Sequence, residues 1–264
     1  MRNILETIIL QKRIEVAERK KSIPLAELEL QSFFKRTPFS LSEFLLDENK
    51  TTIIAEFKRK SPSKGIINNT TDVKSVTGNY VKYGACAISI LTDEQFFGGS
   101  LADLKTARVH QIPILRKDFI IDEYQLIESK ANGADIILLI AACLTKNEVK
   151  NLSLFSKNIG LNVLLEIHNE QELEHICDSV DVVGINNRNL KDFKVDLQHS
   201  IELGKQIPFG KLKIAESGIG DVKTISMLKA HGFNGFLMGE KFMKEEDPGA
   251  AFKEFVEELS IKEF

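Results

Sequence analysis

The stretch that decides the fold occupies residues 123–140 and reads EYQLIESKANGADIILLI. Its first part, Glu123–Lys130, is amphipathic and predicts a helix. Gly133 follows where a helix commonly ends, because glycine accepts the left-handed conformation required there. Ile136–Ile140 is continuously apolar, as expected for a parallel strand that is covered on both faces. The stretch therefore predicts a helix, a glycine stop and a buried strand, in that order.

This unit recurs along the chain. Short apolar runs, whose starts lie about 20 to 35 residues apart, predict strands at Thr52–Phe57, Ala87–Leu91, Ile112–Arg116, Ile136–Ile140, Asn162–Glu166, Val182–Asn186, Lys213–Glu216 and Gly235–Met238. Amphipathic segments between the runs predict further helices at Val73–Tyr83, Lys146–Lys157, Asp196–Gln206 and Val222–Ala230. Like Gly133, a glycine precedes three other runs, at Gly84, Gly160 and Gly232.

The alternation of strands and helices predicts an α/β fold. Eight such units fit a (β/α)8 TIM barrel, an architecture that typically needs about 250 residues. An open doubly wound sheet is the competing architecture. We expect a single domain over residues 1–264, in which a barrel at 51–264 follows an N-terminal helical extension at 1–50.

The extension has two interpretations that the sequence leaves open. Ile4, Leu5, Ile8 and Ile9 predict one apolar helix face, and residues 25–30 suggest a second helical or irregular segment. The extension either closes the bottom or one flank of the barrel, or it forms a cap over the active site.

Composition excludes several function classes. The chain has 35 Lys and Arg residues against 38 Asp and Glu residues, a net charge of −3, which argues against a dedicated nucleic-acid binder. The longest apolar run, residues 136–144, is too short to cross a bilayer. Cys86, Cys143 and Cys177 lack metal-ligand spacing and are expected to be buried thiols in a reducing cytoplasm.

Polar residues gather where the predicted strands end, which is where TIM barrels carry their chemistry. Glu56 and Lys58 lie on the same side of the first strand, since side chains alternate along it. Lys117 follows the third run and precedes Phe119, so we expect partial desolvation to lower the pKa of this lysine. The charged or amide side chains that converge on one rim are Glu56, Lys58, Lys117, Glu166, Asn186, Arg188 and Glu216. This set indicates an enzyme that acts on an anionic substrate.

Other charged groups are expected to be structural or solvated. Arg59, Lys60 and Lys64 are interpreted as a solvated loop. The five histidines are expected to be surface or core residues, and His168, two residues after Glu166, is the one that can face the mouth.

The last two strands predict a phosphate site. Ser217 and Gly218 follow the seventh strand, while Met238 and Gly239 end the eighth. Glycine lets backbone N–H groups approach an oxyanion closely, and a short helix starting near Glu240 adds its positive end. Phosphate sites after strands seven and eight recur in TIM barrels.

Several of these segments together resemble the indole-3-glycerol-phosphate synthase family. The segments are Ile53–Gly65, Phe96–Ser100, Leu115–Phe119, Glu166–His168, Gly184–Arg188 and Ala215–Ile219. The likeness runs from the N-terminal helices to Gly239, and the first segment is its most specific part. The resemblance implies closure of the indole ring of 1-(2-carboxyphenylamino)-1-deoxyribulose 5-phosphate, with release of carbon dioxide and water and without a cofactor or metal.

The resemblance also implies roles for individual residues. Lys117 is implied to be the general acid of ring closure and Glu166 the acid/base group of dehydration. Lys58 is implied to contact the charged groups of the substrate. Glu56 and Asn186 are implied to hold these catalytic side chains in register. The implied substrate-binding residues are Ser61, Pro62, Phe97, Phe119, Arg188, Leu190 and Glu216, with Arg188 paired to Glu216. The implied phosphate cradle is Ser217, Gly218, Met238 and Gly239.

Two alternatives remain open at this point. One is a Schiff-base aldolase on a similar barrel with Lys117 as its nucleophile. The other is a phosphosugar-binding barrel without catalysis, against which the paired acids and bases argue. The family is sometimes fused to a second barrel, whereas this sequence suggests one. We expect a phosphorylated small molecule as the partner, no nucleic acid or membrane, and a monomer, with a dimer as the alternative.

Overall fold

The barrel closes through a ring of parallel strands. The structure is a computed structural model that describes residues 4–189 and 194–262. The strands are β1 (Ile53–Phe57), β2 (Lys60–Ser61), β3 (Gly65–Ile66), β4 (Ala87–Leu91), β5 (Ile114–Lys117), β6 (Ile136–Ile140), β7 (Asn162–Ile167), β8 (Val182–Asn186), β9 (Leu212–Glu216) and β10 (Gly235–Met238). The ring runs in the order β1-β10-β9-β8-β7-β6-β5-β4, and β2 pairs with β3 as a separate antiparallel hairpin. This confirms the predicted TIM barrel and excludes the open sheet.

Helices lie between the strands and at both ends of the chain. They are α1 (Ile4–Ser22), α2 (Leu25–Glu29), α3 (Leu41–Leu45), α4 (Val73–Lys82), α5 (Leu101–Ala107), α6 (Glu123–Ala131), α7 (Lys146–Asn158), α8 (Leu197–Gly204), α9 (Val222–Ala230), α10 (Glu240–Met243) and α11 (Pro248–Lys262). After β7 the chain forms only a 3-10 helix at Glu170–His175. Within the described ranges, no helix has the length and apolar character that a membrane span needs.

The eight barrel strands lie where the sequence predicts them, within two residues at each end. The largest shift is at β5, which begins at Ile114 rather than Ile112 and includes Lys117. The expected helix stops are confirmed as well: Gly84, Gly133, Gly160 and Gly232 all have positive φ angles between 78° and 94°. The hairpin of β2 and β3 was not predicted, because its strands are only two residues long.

The N-terminal extension serves both ends of the barrel, so each of the two open interpretations is partly right. Leu41 and Leu45 of α3 are buried against Ile54, Leu115 and other side chains of the barrel interior, and they close its bottom. The Leu41 N–H donates to Asn162 at the start of β7. By contrast, the first turns of α1 lie at the opposite end, where the strands terminate.

Candidate active site

One cavity opens at the C-terminal ends of the strands. It is lined by these residues that the sequence predicts as functional: Glu56, Lys58, Ser61, Pro62, Phe97, Lys117, Phe119, Glu166, Asn186, Arg188, Glu216, Ser217, Gly218, Met238 and Gly239. Leu190, the remaining predicted residue, lies outside the described residues. Because these side chains come from strands throughout the barrel, only closure of the barrel brings them together.

Lys117 lies at the centre of the charged groups. It ends β5, and its Nζ lies 3.0 Å from Glu166 Oε2 and 3.5 Å from Glu216 Oε2. Burial alone lowers the pKa of this lysine, but the carboxylates of Glu166, Glu216 and Glu56 raise it above its ordinary value. The expected lowered pKa was therefore wrong: it considered desolvation and left out carboxylates from other strands. The raised pKa keeps Lys117 in its ammonium form.

Glu166 projects from β7 and has partners on both carboxylate oxygens. Lys117 binds Oε2, and the Asn186 side-chain amide donates to Oε1 at 3.1 Å. Asn186 is itself fixed, because its Oδ1 accepts the backbone N–H of Arg188. Burial raises the pKa of Glu166, but Lys117 and His168 outweigh burial and hold that pKa well below its usual range. Glu166 is thus an ionised carboxylate.

Glu216, at the end of β9, is the contrasting carboxylate. Its space in the barrel depends on Gly184 of the neighbouring β8, since a Cβ there would overlap Glu216 Oε1. Burial raises the pKa of Glu216, and the nearby charges of Glu166 and Glu56 add to that effect while Lys117 opposes it. The two glutamates on either side of Lys117 therefore differ in acidity, a pattern found where acid and base roles are divided.

Glu56 on β1 and Lys58, the residue after this strand, form a second pair. Lys58 Nζ lies 2.7 Å from Glu56 Oε1, as their shared side of the strand predicts. Two lysines and three glutamates thus meet in one partly buried cavity. Such an arrangement can donate and accept protons on a bound molecule.

An apolar wall faces these charges. The rings of Phe97 and Phe119 lie 6.0 Å apart between centroids, and Pro62 lines the same cavity. Ile4 and Ile8 of α1 also line it, which the sequence alone did not assign to the site. The wall can take a flat aromatic group beside the charged residues.

The opposite side of the cavity consists largely of backbone. Ser217 and Gly218 have φ angles of 68° and 69°, which is unusual for a residue with a side chain and marks a strained turn. A Cβ at Gly239 would crowd Glu56, so the start of α10 approaches β1 closely. Helix α10 begins at Glu240, as expected, and Lys241 of this helix also lines the cavity. The turn and the helix start together offer backbone N–H groups and positive charge to an anion.

Three expectations about charged or thiol side chains need correction. Arg188 does not pair with Glu216: it contacts Ser63 and Glu240, both at 3.2 Å, because Glu216 points inward to Lys117. Arg59 is not simply solvated, since it binds Asp103 at 2.6 Å. Of the three free cysteines, only Cys86 is buried, and the other two are half-buried.

His168 was not assigned to the site, although it lies beside it. Its Nε2 is 3.2 Å from Glu166 Oε1 and its Nδ1 is 3.4 Å from Glu172 Oε2. The sequence signal that could have placed His168 at the site is the alternation of side chains along β7 and just beyond it, which turns residues 166 and 168 to the same side.

The fold and the site define a TIM-barrel enzyme whose cavity joins acid and base groups to a glycine-containing backbone turn. Comparisons with known proteins give the family. The family model described as indole-3-glycerol phosphate synthase matches residues 5–255, and this chain belongs to that family.

Relatives that carry this name align along nearly the whole chain. Indole-3-glycerol phosphate synthase of Bacteroides thetaiotaomicron is 45% identical and covers 98% of this chain and 100% of the relative. That of Salinibacter ruber is 42% identical, with 94% and 93% covered.

Among solved structures, the tryptophan synthase alpha subunit of Legionella pneumophila matches with a TM-score of 0.63 and 13% identity, covering 85% of this chain and 98% of that subunit. At that identity the match supports the barrel fold alone.

Proposed function

We propose that this chain closes the indole ring of 1-(2-carboxyphenylamino)-1-deoxyribulose 5-phosphate, with loss of carbon dioxide and water. The single observation that carries the proposal is the Lys117–Glu166 pair, 3.0 Å apart, between the aromatic wall and the anion cradle. The wall suits the carboxyphenyl ring, and the cradle suits the phosphate at the other end. Binding at both ends orients the ketone between them.

Lys117 is the general acid for ring closure. As the aromatic carbon attacks the ketone, charge develops on the ketone oxygen, and the Lys117 ammonium donates its proton there. The raised pKa of Lys117 does not prevent this transfer, because an alkoxide is more basic than a lysine amine. The carboxylates that raise the pKa also keep the proton available at neutral pH.

Glu166 is the acid/base group for the later steps. Departure of the hydroxyl as water needs a proton, and formation of the indole double bond releases one from carbon. The ionised carboxylate of Glu166 can take the proton released from carbon and pass it to the hydroxyl as the C–H and C–O bonds break, so the step neither gains nor loses a proton, which supports this role. Lys58 contacts the carboxylate of the substrate, held in place by Glu56.

The two alternatives are less well supported. A Schiff-base nucleophile must be a neutral amine, whereas the surroundings of Lys117 favour its ammonium form. A protein that binds a phosphosugar without catalysis needs no pair of glutamates whose pKa values are shifted in opposite directions. We also infer a cytoplasmic enzyme, supported by the free cysteines; the monomeric state stays a prediction.

The test is turnover of the synthetic substrate, followed by the fluorescence of the indole product. The chain has no tryptophan, so the protein adds no indole background to that signal. We expect wild-type enzyme to produce the signal and borohydride with a ketose phosphate to leave Lys117 unmodified. Trapping of Lys117 without indole formation supports the aldolase instead. Binding of the substrate without either reaction supports the phosphosugar-binding barrel without catalysis.

A further inference from the structure

His168 occupies a buried position that the proposed chemistry does not use. It follows Glu166 on β7, and its side chain is 9% exposed. Its two ring nitrogens face two different carboxylates, Glu166 Oε1 at 3.2 Å and Glu172 Oε2 at 3.4 Å. Neither ring nitrogen has a hydrogen-bond partner among the described residues, so the two contacts depend on charge: a protonated ring is attracted to both carboxylates.

The contacts form a continuous row from the cavity to the 3-10 helix that follows β7. Glu216 contacts Lys117, Lys117 contacts Glu166, Glu166 contacts His168, and His168 contacts Glu172. Glu172 is fixed at the far end, since its Oε2 accepts the His168 backbone N–H and its Oε1 accepts the Asn169 side-chain amide. Negative and positive charges alternate along the row.

We propose that His168 is a positioning residue for the reaction: its imidazolium, anchored by Glu172, holds the carboxylate of Glu166 ionised and turned toward Lys117. The inference rests on the proposed function for its kinetic consequence only. His168 does not line the cavity, so it acts through Glu166 and not on the substrate.

The charges around the ring favour the protonated imidazole. Burial lowers the pKa of His168, but the contacts with Glu166 and Glu172 outweigh it and raise the pKa from 6.5 to about 9. Other groups that face this region are Cys143, whose thiol has a raised pKa and stays neutral, and His199, which contacts the His168 backbone oxygen. Lys117, beyond Glu166, is the nearest further cation in the row.

A direct test is the protonation state of His168 in the wild-type enzyme. NMR of the protein with labelled histidine, assigned by comparison with His168→Gln, reports the charge on the ring. We expect an imidazolium at pH 7.5 that loses its proton near pH 9. A neutral ring at pH 7.5 overturns the proposal, and this result does not depend on turnover.

The kinetic test uses His168→Gln, which keeps a hydrogen-bond donor and removes the charge. We expect kcat to fall about tenfold, less than the ~10²–10⁴ of losing an acid–base group outright. KM should stay nearly unchanged. Because a nearby cation lowers a carboxyl pKa, the acid limb of kcat/KM should move up by about one pH unit.

The matched control is His199→Gln, which changes a histidine that touches the same segment but not Glu166. We expect wild-type kcat and an unchanged acid limb. If His168→Gln lowers kcat without moving the acid limb, or if the control moves it equally, His168 is only structural and the proposal fails. If the wild type itself gives no indole while the ring is charged, the proposed function fails and the charge on His168 stands.

Discussion

Lys12 and Lys117 are both held by carboxylates, but Lys12 is buried inside the protein and Lys117 is half-buried and faces a cavity. We call Lys12 with Glu15, Asp93 and Asp118 the sealed cluster, and Lys117 with Glu56, Glu166 and Glu216 the cavity cluster. The lysine side chain is 2% exposed in the sealed cluster and 15% exposed in the cavity cluster. In both, the carboxylates raise the lysine pKa against the effect of burial.

The sealed cluster ties α1 to the loops that carry the aromatic wall. Lys12 Nζ lies 2.9 Å from Asp93 Oδ2 and 3.0 Å from Asp118 Oδ1. Asp93 in turn accepts the backbone N–H of Phe97, and Asp118 accepts that of Phe119. Each carboxylate therefore has both a cation and a backbone donor, as a buried charge requires.

The cavity cluster differs at one carboxylate oxygen. Among residues 4–189 and 194–262, Glu216 Oε1 is buried with neither a hydrogen bond nor an ion pair, whereas Asp93 Oδ2 of the sealed cluster lacks a hydrogen bond but lies 2.9 Å from Lys12 Nζ. An unpartnered buried oxygen costs free energy unless a ligand or water completes it. Two clusters of similar charges therefore have different roles. The sealed cluster stabilises the structure, while the cavity cluster, in which Glu216 Oε1 has no partner among the described residues, is available for chemistry.

Replacing Lys117 should produce the largest effect. We expect Lys117→Met to lower kcat by about 10²–10⁴, the usual loss for a positioned general acid. Lys117→Arg should not restore it, because the larger planar guanidinium cannot place a proton where the compact ammonium of Lys117 places it. The measurement is indole formation beside a thermal melt, in which both variants should keep the wild-type Tm within a few degrees. Near-normal turnover by Lys117→Arg would limit Lys117 to an electrostatic role.

Replacing Glu166 tests the carboxylate partner in the same cluster. Glu166→Gln keeps the shape and removes the titratable group, so we expect kcat to fall about 100-fold. KM should change little, since the loss is felt mainly in the transition state. Steady-state kinetics at several pH values check this, and equal kcat values for variant and wild type would leave Glu166 a structural role only.

Replacing Lys12 should reverse the pattern seen with Lys117. Lys12→Met leaves Asp93 buried without its cation and Asp118 paired with Arg116 alone, and breaking a buried pair typically costs about 3–5 kcal/mol. For a chain of this size that corresponds to a Tm lower by roughly 10 °C. The control is Lys20→Met at the exposed pair with Asp122, where we expect almost no change. If Lys12→Met lowers kcat and leaves Tm unchanged, the distinction between the clusters is wrong.

The pH dependence of stability should follow the sealed cluster. Burial raises the pKa of Asp118, but Arg116 and Lys12 outweigh it and hold that pKa below its ordinary 3.8. A lowered carboxyl pKa contributes stability above the ordinary value, and that contribution is lost as pH falls through the folded pKa. Lys12→Met should therefore bring acid unfolding to a higher pH than in wild type.

The sequence predicts which residues lie at the strand ends better than it predicts which side chains those residues contact. The shared side of Glu56 and Lys58 follows from the period of two along one strand, and the structure confirms it. The raised pKa of Lys117 depends on carboxylates from β1, β7 and β9, whose distances only the closed barrel sets. The sequence did not identify Lys12 as part of a buried cluster. A lysine at a given position of a helix gives the same sequence pattern whether it contacts solvent or two buried aspartates.

The smallest expected effect concerns inorganic phosphate at the turn of Ser217 and Gly218. We expect phosphate to be a weak competitive inhibitor and, at tenfold excess over its Kd, to stabilise the protein by about 1.4 kcal/mol. That corresponds to a Tm rise of about 3–5 °C. The rise should also occur in Lys12→Met, because Lys12 does not line the cavity. Inhibition that is not competitive would place the anion elsewhere.

Two glycine variants separate the cradle from general strain. Gly218 and Gly210 both have positive φ, so alanine strains the backbone at either position. A Cβ at 218 would also overlap Val195, whereas one at 210 meets nothing within 4 Å. Both variants should therefore lose stability, but only Gly218→Ala should raise the substrate KM and lose the Tm rise with phosphate. If Gly210→Ala loses that rise equally, backbone strain and not the cradle explains it; if Gly218→Ala keeps it, the anion binds without this turn.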